Sequence, residues 1–433
     1  MGQSKIGWQG QTAAFLLSQN LFVFGTSTVF FAVLWDIALK TSSGAWMTYV
    51  SLATSLPAIL ISLSAGVLAD RYNRKWLIVL SALAVTVLTL AVAYVFAFVT
   101  QELWLLLVIA VIRSFGNGLE NPAANALLPQ LVPAKQITRV NGYNQILMAA
   151  MLVMSPLLAG YILSDLGIFW IFVIDALTAA LAVLCLSVVH VPTPTARRDR
   201  ASKRQNGILA GLRYVGNTPL LLAFMLFTGA AFILIAPSSQ LSTLYVNRTF
   251  GSEVWHLTFN EWSWTIGAGL GGLFIARHKK FRDQLGLIAI GFAGSGIAFA
   301  EMGLQQPFIT YLFFMFISGI FYPLIQAGQT IYLQENVPAD KLGRVFSLWA
   351  ILSTGIYPLA MLAYGPLADW VPIGWIFIVT GLLLIGVAYW FWQRLKNCAG
   401  SNACWRLCCI QKCFITMGRA TAQYVMKHIF TRA

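Results

Sequence analysis

Charged residues are scarce in this chain. Asp, Glu, Lys and Arg make up 10% of its 433 residues, whereas 58% are hydrophobic, and the mean hydropathy is +0.75. A soluble domain carries roughly 25% charged residues, because its surface must be solvated by water. The charge available here is too little to cover a globular surface. The composition therefore excludes an ordinary soluble protein and predicts a surface that mostly faces lipid.

The apolar segments also lack the in-out alternation of barrel strands. They are continuous over about 20 residues, the length that a helix needs to cross ~30 Å of hydrocarbon. We expect an all-α integral membrane protein with about twelve transmembrane helices. The predicted spans are residues 12–36, 44–69, 76–98, 103–127, 137–163, 168–190, 218–246, 255–276, 284–303, 307–332, 343–368 and 373–393.

Motifs of zinc proteases, α/β-hydrolases and P-loop ATPases are missing from the sequence. We therefore expect no enzymatic activity, no ATP-driven transport and no cofactor. Five of the six cysteines crowd the final segment, where spacings of four residues leave metal binding or acylation open. A basic amphipathic segment on the inner leaflet, or an appended end, is the preferred interpretation, without a metal site. These five are Cys398, Cys404, Cys408, Cys409 and Cys413.

The basic residues predict the orientation in the membrane. With a cytoplasmic N-terminus, 25 of the 28 Lys and Arg fall in cytoplasmic segments, as the positive-inside rule requires. Lys40 and Arg248 would lie outside, and Arg113 lies within a span. Both termini are therefore expected in the cytoplasm. The protein is expected to be a multi-pass protein of the plasma membrane, which in bacteria is the inner membrane. Topology and anionic lipid account for the net charge of +14, so no nucleic-acid partner is expected.

The chain reads as two similar halves. At a constant offset of 205 residues, Val132-Pro133-Ala134 matches Val337-Pro338-Ala339, and Gly160 matches Gly365. A polar linker with prolines and arginines separates the halves. Parallel repeats with a site at their interface are a transporter architecture. The predicted domains are a first six-helix bundle at 1–190, a cytoplasmic linker at 191–217, a second bundle at 218–393 and a basic Cys-rich tail at 394–433.

The junction between the second and third spans reads GVLADRYNRK from Gly66 to Lys75. This segment resembles the signature loop of the major facilitator superfamily, with Asn73 in place of the usual glycine. The resemblance implies two six-helix bundles and alternating access of a central site. It also implies that the loop latches the cytoplasmic gate in the outward-facing state. The latch residues would be Gly66, Asp70, Arg71, Arg74 and Lys75.

Three further segments narrow the resemblance. Residues 112–123, 259–273 and 342–348 are similar to the macrolide-efflux and enterobactin-exporter branch of drug:proton antiporters, and Pro156 with Gly160 matches part of an antiporter motif in the fifth span. The resemblance implies a monomeric, proton-coupled exporter of an amphiphilic small molecule such as a macrolide or a siderophore. A lipid flippase on the same fold and a non-transporting membrane receptor remain alternatives.

Ionisable residues inside hydrocarbon are costly and are by default functional or paired. Proton coupling needs a carboxyl group that gains and loses a proton as its surroundings change between dry and wet. Asp175 and Glu261, one in each half, are the leading candidates, and Asp36 is a third. Arg113 is expected to compete with the proton and to pair with Asp36. Glu120 lies towards the inner end of the fourth span.

Neutral polar side chains and prolines within the spans are further candidates. Amides orient a solute without a fixed charge, although they also hold helices together. Prolines bend helices and free carbonyl groups. The predicted pathway residues are Asn20, Gln145, Gln240, Gln326 and Gln329, and the predicted bending residues are Pro156, Pro237, Pro323 and Pro358.

Overall fold

The computed structural model describes residues 7–71, 73–189, 211–277 and 283–399, and these residues are almost entirely helical. Much of the predicted linker and residues 400–433 of the predicted tail lie outside them. The helices of the first half are α1 (Trp8–Thr41), α2 (Gly44–Arg71), α3 (Arg74–Phe98), α4 (Trp104–Leu131), α5 (Ile137–Asp165) and α6 (Ile168–Ser187). Those of the second half are α7 (Pro219–Gln240), α8 (Ser242–Phe250), α9 (Val254–Arg277), α10 (Gln284–Met302), α11 (Phe308–Asn336), α12 (Ala339–Trp370) and α13 (Ile373–Ala399).

Ten of the described segments are long and apolar enough to cross a membrane, with α7 and α8 counted as one span. The two other long helices, α4 and α9, contain 28 and 24 residues and are also long enough to cross. They fall short in apolar character because α4 carries Arg113 and Glu120 and α9 carries Asn260 and Glu261. With them the described residues contain the twelve predicted spans. Both helices therefore carry candidate ionisable groups.

The predicted span 218–246 is not one continuous helix. It divides into α7 and α8 at Leu241, whose N–H donates to the carbonyl of Pro237 at 2.8 Å. Pro237 lacks a backbone donor and so weakens the regular helical ladder close to this break. The other three predicted bending residues, Pro156, Pro323 and Pro358, lie inside α5, α11 and α12.

The two halves form equivalent six-helix bundles. In the first bundle α1 packs on α5 and α6, and α4 packs on α2 and α3. In the second bundle α7 packs on α12 and α13, and α11 packs on α9 and α10. Between the bundles, α2 packs on α12 and α5 packs on α9. Each contact has its counterpart under exchange of the halves, so the repeat predicted from the sequence is also present in the packing.

The repeated Val-Pro corner has the same backbone shape in both halves. Val132 has φ −110° and ψ 130°, and Val337 has φ −111° and ψ 127°. The prolines that follow, Pro133 and Pro338, also agree within a few degrees in φ and ψ. The extended Val-Pro pair stops one helix and starts the next, because proline disfavours a helical residue before it.

The bundles meet at the end of the molecule where α1 gives way to α2, which we name the closed end. There Thr48 donates to the carbonyl of Met361 at 2.7 Å, between α2 and α12. The indole of Trp262 donates to the carbonyl of Val153 at 3.0 Å, between α9 and α5. At the opposite, open end, a Cβ added at Gly142 or Gly343 would meet nothing within 4 Å. Among the described residues, the hydrogen bonds between the bundles therefore lie in the half of the molecule nearer the closed end.

Glycine permits the close crossing of α9 and α11. A Cβ on Gly267 would collide with the carbonyl oxygen of Phe316, whereas a Cβ on Gly269 would meet nothing within 4 Å. We expect Gly267→Ala to destabilise the protein by ~1–3 kcal/mol, because the helices must separate. The matched Gly269→Ala should raise stability by up to ~1 kcal/mol through helix propensity. Thermal unfolding in detergent measures both, and equal effects would contradict this packing role.

Candidate functional site

A bidentate ion pair is buried inside the first bundle. Arg113 on α4 donates from Nη1 and Nη2 to the two carboxylate oxygens of Asp175 on α6, at 2.6 and 2.9 Å. Nη2 also donates to Oγ1 of Thr26 on α1 at 3.1 Å, and both charged residues are less than 10% exposed. Removing one partner would leave the other charged and unpaired in a dry interior. The pair therefore ties three helices together.

The predicted pairing of Arg113 with Asp36 is wrong. Asp36 instead accepts a hydrogen bond from Lys40, one turn further along α1, with 2.8 Å between Nζ and Oδ2. Arg113 lies at the same depth in the bundle as Thr26 of α1, because the two side chains form a hydrogen bond. Asp36 lies ten residues beyond Thr26 along α1. At 1.5 Å per residue this is ~15 Å nearer the closed end, too far for the guanidinium to reach.

Glycine also makes room for the pair. A Cβ on Gly25 would lie 2.5 Å from Oδ1 of Asp175 and 2.6 Å from Oγ1 of Thr178. The absence of a side chain at Gly25 therefore lets α1 approach α6 at the level of the carboxylate. Thr26, the next residue, turns its hydroxyl to Arg113. Neither residue was among the sites predicted from the sequence, although adjacent Gly and Thr in an apolar span are typical of a close helix contact.

A small polar cavity adjoins the ion pair. Its volume is about 30 Å³, enough for a water molecule. Arg113, Asn117 and Glu120 line it from one face of α4, and Asp175 lines it from α6. Glu120 lies two helical turns from Arg113 towards the open end and makes no hydrogen bond to any described residue. A carboxyl group, a water-sized space and a buried ion pair are thus contiguous within the first bundle.

The second bundle places Glu261 beside a different network. Nδ2 of Asn260 donates to Oε1 of Glu261 at 3.2 Å, and the hydroxyl of Tyr311 donates to Oδ1 of Asn260 at 2.9 Å. Asn260 and Tyr311 are fully buried, whereas Glu261 is half-buried. Trp262, the next residue, makes the hydrogen bond to α5 of the first bundle. Glu261 therefore lies on the helix by which the second bundle contacts the first.

The predicted pathway amides occupy different environments. Asn20 is buried and joins α1 to α5, because its Nδ2 donates to the carbonyl of Leu16 at 2.8 Å and to Oδ1 of Asn144 at 3.2 Å. Gln145 is exposed on α5 near the open end, and Gln240 is half-buried where α7 stops.

Two further amides lie on α11. Nε2 of Gln326 donates to the hydroxyl of Tyr322 at 3.0 Å, and Nε2 of Gln329 lies 3.5 Å from Oγ1 of Thr228 on α7. Their Oε1 atoms are buried without a hydrogen-bond partner among the described residues. The buried Oδ1 of Asn20 also lacks a partner among the described residues, so all three amides retain an unused acceptor, although only Asn20 joins α1 to α5.

The predicted latch segment is described in part. The backbone from Gly66 to Arg71 belongs to α2, and the side chains of Asp70 and Arg71 lie outside the described residues. Asn73 caps α3 by accepting from the N–H of Lys75 at 3.0 Å. Nζ of Lys75 donates to the carbonyl of Ser187, the last residue of α6, and to that of Val189, two residues beyond it, both at 2.7 Å. A cation at a helix C-terminus is stabilising, so Lys75 links α3 to α6.

Metal binding has no support in the described residues, where no three His, Cys, Asp or Glu side chains are grouped to hold an ion. The five tail cysteines lie beyond the described side chains. What the structure does provide is two equivalent helical bundles with polar and charged groups buried at membrane depth. This architecture defines the class of secondary transporters.

The chain belongs to the Major Facilitator Superfamily, whose family model matches residues 15–356. It is 26% identical to macrolide efflux protein A of Streptococcus pyogenes over 387 residues, which cover 88% of this chain and 93% of that protein. It is 24% identical to the enterobactin exporter EntS of Citrobacter koseri over 395 residues, 86% and 90% of the two chains. The resemblance predicted from the sequence is confirmed.

The solved structure of the nucleoside transporter NupG has the same fold. It superimposes with a TM-score of 0.67 at 13% identity and covers 90% of this chain and 99% of that one. The predicted all-helical fold with two six-helix bundles is therefore confirmed. At this identity the likeness shows the fold alone.

The Arg113–Asp175 pair predicts non-additive effects on stability. Arg113→Met or Asp175→Leu alone should destabilise the protein by ~3–5 kcal/mol, because one buried charge loses its partner. The double variant should recover much of this loss, since no unpaired charge remains. Thermal unfolding of the four proteins completes the double-mutant cycle. Additive losses would contradict a coupled pair.

Proposed function

We propose that this protein is a proton-coupled exporter of an amphiphilic small molecule that works by alternating access. The observation that carries this proposal is the buried Arg113–Asp175 pair beside a water-sized cavity that also holds Glu120. The names of the relatives support export of a macrolide or a siderophore. The protein would act as a monomer in the bacterial inner membrane, with protons and the exported compound as its ligands.

The open end is proposed to face the cytoplasm. It carries the chain segments in which Lys and Arg are concentrated, as expected for cytoplasmic loops. Both termini then lie inside, residues 1–190 and 218–393 form the two moving bundles, and 191–217 links them on the cytoplasmic side. The tail from 394 to 433 would also be cytoplasmic. The structure then corresponds to an inward-facing state, ready to take up a compound from the cytoplasm or the inner leaflet.

Proton release explains why Arg113 holds Asp175 in this state. A proton on Asp175 would compete with the guanidinium for the same oxygens, so an ionised, paired Asp175 represents the carrier after proton loss. Glu120 lies between the pair and the open end, where a water in the cavity would connect the two carboxyl groups. A proton would leave towards the cytoplasm by this route. Glu261 would be a second proton site, near the contact between the bundles.

Two other predicted roles fit this scheme. Gln326 and Gln329 would offer their free acceptors to polar groups of the compound, with Gln145 and Gln240 nearer the ends of the pathway. Asp36, paired with Lys40 near the closed end, would be the outermost of the candidate proton-carrying carboxyl groups. Asn20 would keep α1 and α5 in register while the bundles move.

Inside-out vesicles test the proposal directly. A proton gradient should drive uptake of candidate macrolides, siderophores or dyes by the wild type. The measured quantity is the ratio of the uptake rate with a proton gradient to the rate without one. In Asp175→Asn and Glu261→Gln this ratio should fall by roughly 5- to 150-fold, which corresponds to a typical coupling free energy. Glu253→Gln, an exposed glutamate in the loop between α8 and α9, is the matched control and should behave as wild type.

The outcomes separate the candidate functions. Equal gradient dependence in all four proteins would remove Asp175 and Glu261 as proton carriers. Movement of labelled lysophospholipid without a gradient, and no gradient-driven uptake of the other compounds, would favour a flippase instead. Absence of any transport in folded protein would favour a receptor.

The latch predicted at the α2–α3 junction has its own test. Asp70→Asn should slow transport strongly while the amount of folded protein stays unchanged, because the carboxylate acts only when the cytoplasmic ends of the bundles meet. Initial uptake rates normalised to monodisperse protein measure this effect. A variant that transports at the wild-type rate would exclude the latch role of Asp70.

A further inference from the structure

The turn between α1 and α2 is held by residues of the other bundle. Asp369, at the end of α12, accepts hydrogen bonds from the hydroxyl of Ser43 at 2.9 Å, the N–H of Gly44 at 2.6 Å and the N–H of Ala45 at 2.9 Å. These two N–H groups begin α2, where the first amides have no partner within their own helix. The carboxylate of one bundle thus caps a helix of the other.

Arg248 on α8 contacts both Asp369 and the turn between α1 and α2. Its Nη2 lies 2.7 Å from Oδ1 of Asp369, its Nε donates to the carbonyl of Ser42 at 2.9 Å and its Nη1 donates to the carbonyl of Ala368 at 2.6 Å. The neighbouring Asn247 donates from Nδ2 to the carbonyl of Ala38 at 2.8 Å and to the hydroxyl of Ser42 at 2.9 Å. The second bundle therefore holds both the end of α1 and the start of α2.

The turn itself is shaped for this contact. Ser42 adopts a left-handed backbone with φ 46°, which ends α1 and leaves its carbonyl free for Arg248. Immediately below the turn, Gly44 and Gly365 let α2 and α12 approach to backbone contact. Separation of the bundles at the closed end must break every one of these bonds across the interface.

Partial exposure makes the contact reversible. The side chains of Arg248 and Asp369 are 30% and 25% exposed, so water can replace their partners when the bundles separate. Each bond then contributes a modest net free energy, unlike the fully buried Arg113–Asp175 pair. A set of such bonds can bias a conformational equilibrium without locking it.

We propose that Asp369 and Arg248, with Asn247, form an extracellular clamp that closes on residues 42–45 and stabilises the inward-facing state. The clamp rests on the proposed alternating access. It acts by gating: breaking it favours the outward-facing state, and re-forming it after release of the exported compound resets the carrier. Lys40 and Arg248 are the two Lys or Arg residues predicted to lie outside, and Arg248 is part of the clamp.

Distances between spin labels on opposite bundles test the clamp. One label pair replaces Glu102 and Gln305, exposed residues in closed-end loops of the first and second bundles. The other replaces Gly142 and Gly343 at the open end, where a side chain meets nothing. The six native cysteines are first replaced by alanine, and double electron–electron resonance is measured on full-length protein in lipid nanodiscs.

Asp369→Asn should raise the ratio of outward- to inward-facing molecules about tenfold, because the amide keeps the shape of the carboxylate but loses its charge and one acceptor. The Glu102–Gln305 distance should lengthen while the Gly142–Gly343 distance shortens in the same fraction of molecules. Arg248→Lys, which keeps the charge but loses the forked geometry, should give a smaller shift of the same sign. It also tests the clamp if Asp369→Asn does not fold.

The matched control is Asp165→Asn. Asp165 is an exposed carboxylate at the closed end of α5, and its side chain accepts only from its neighbour Ser164, at 3.4 Å, among the described residues. It should leave both distances unchanged. Unchanged distances in Asp369→Asn and Arg248→Lys would overturn the clamp, as would lengthening at the closed end without shortening at the open end.

Transport assays distinguish failure of the clamp from failure of the proposed function. If the clamp variants shift both distances but no compound moves with a proton gradient, the clamp stands and the proton-coupled export is wrong. If gradient-driven export occurs and the distances do not respond, export stands and the clamp is wrong.

Discussion

The structure depends on one constraint: inside hydrocarbon, each polar group must find its partner within the protein. Helices meet this requirement for the backbone, which is why the described residues are almost entirely helical. Side chains meet it by pairing across helices, as Arg113 does with Asp175 and Thr26. Some buried side-chain atoms, such as the Oε1 atoms of Gln326 and Gln329, have no hydrogen-bond partner among the described residues.

Polar groups between the bundles also have hydrogen-bond partners, but near the membrane surface water can replace these partners. The contacts between the bundles are concentrated at the closed end, where small residues bring α2 close to α12 and α5 close to α9. At the solvent-exposed edge, hydrogen bonds from Asp369 and Arg248 replace apolar packing. Such an interface can separate because water takes over the polar partners. The interior of each bundle cannot, since its charges have no alternative partner.

Antiparallel packing of α2 and α12 gives the fold a simple internal symmetry. Asp369 is the penultimate residue of α12 and caps the start of α2. Asp70 is likewise the penultimate residue of α2, and α12 starts at Ala339 on the same side of the membrane. Each helix of the pair therefore has an Asp as its penultimate residue, on the side of the membrane where its partner helix begins.

The sequence by itself determined the number of spans, the repeat and the family, because hydrophobic length, a constant offset and the signature segment are local or additive properties. It also identified Arg113, Asp175, Glu120 and Glu261, since charge in an apolar span needs no fold to be recognised. Pairing needed the tertiary structure. Arg113 pairs with Asp175 and not with Asp36, because Asp175 lies at the same depth in the bundle. Asp369 and Arg248 contact residues 42–45, which are more than 200 positions away in the sequence. Only the packing of the helices determines both contacts.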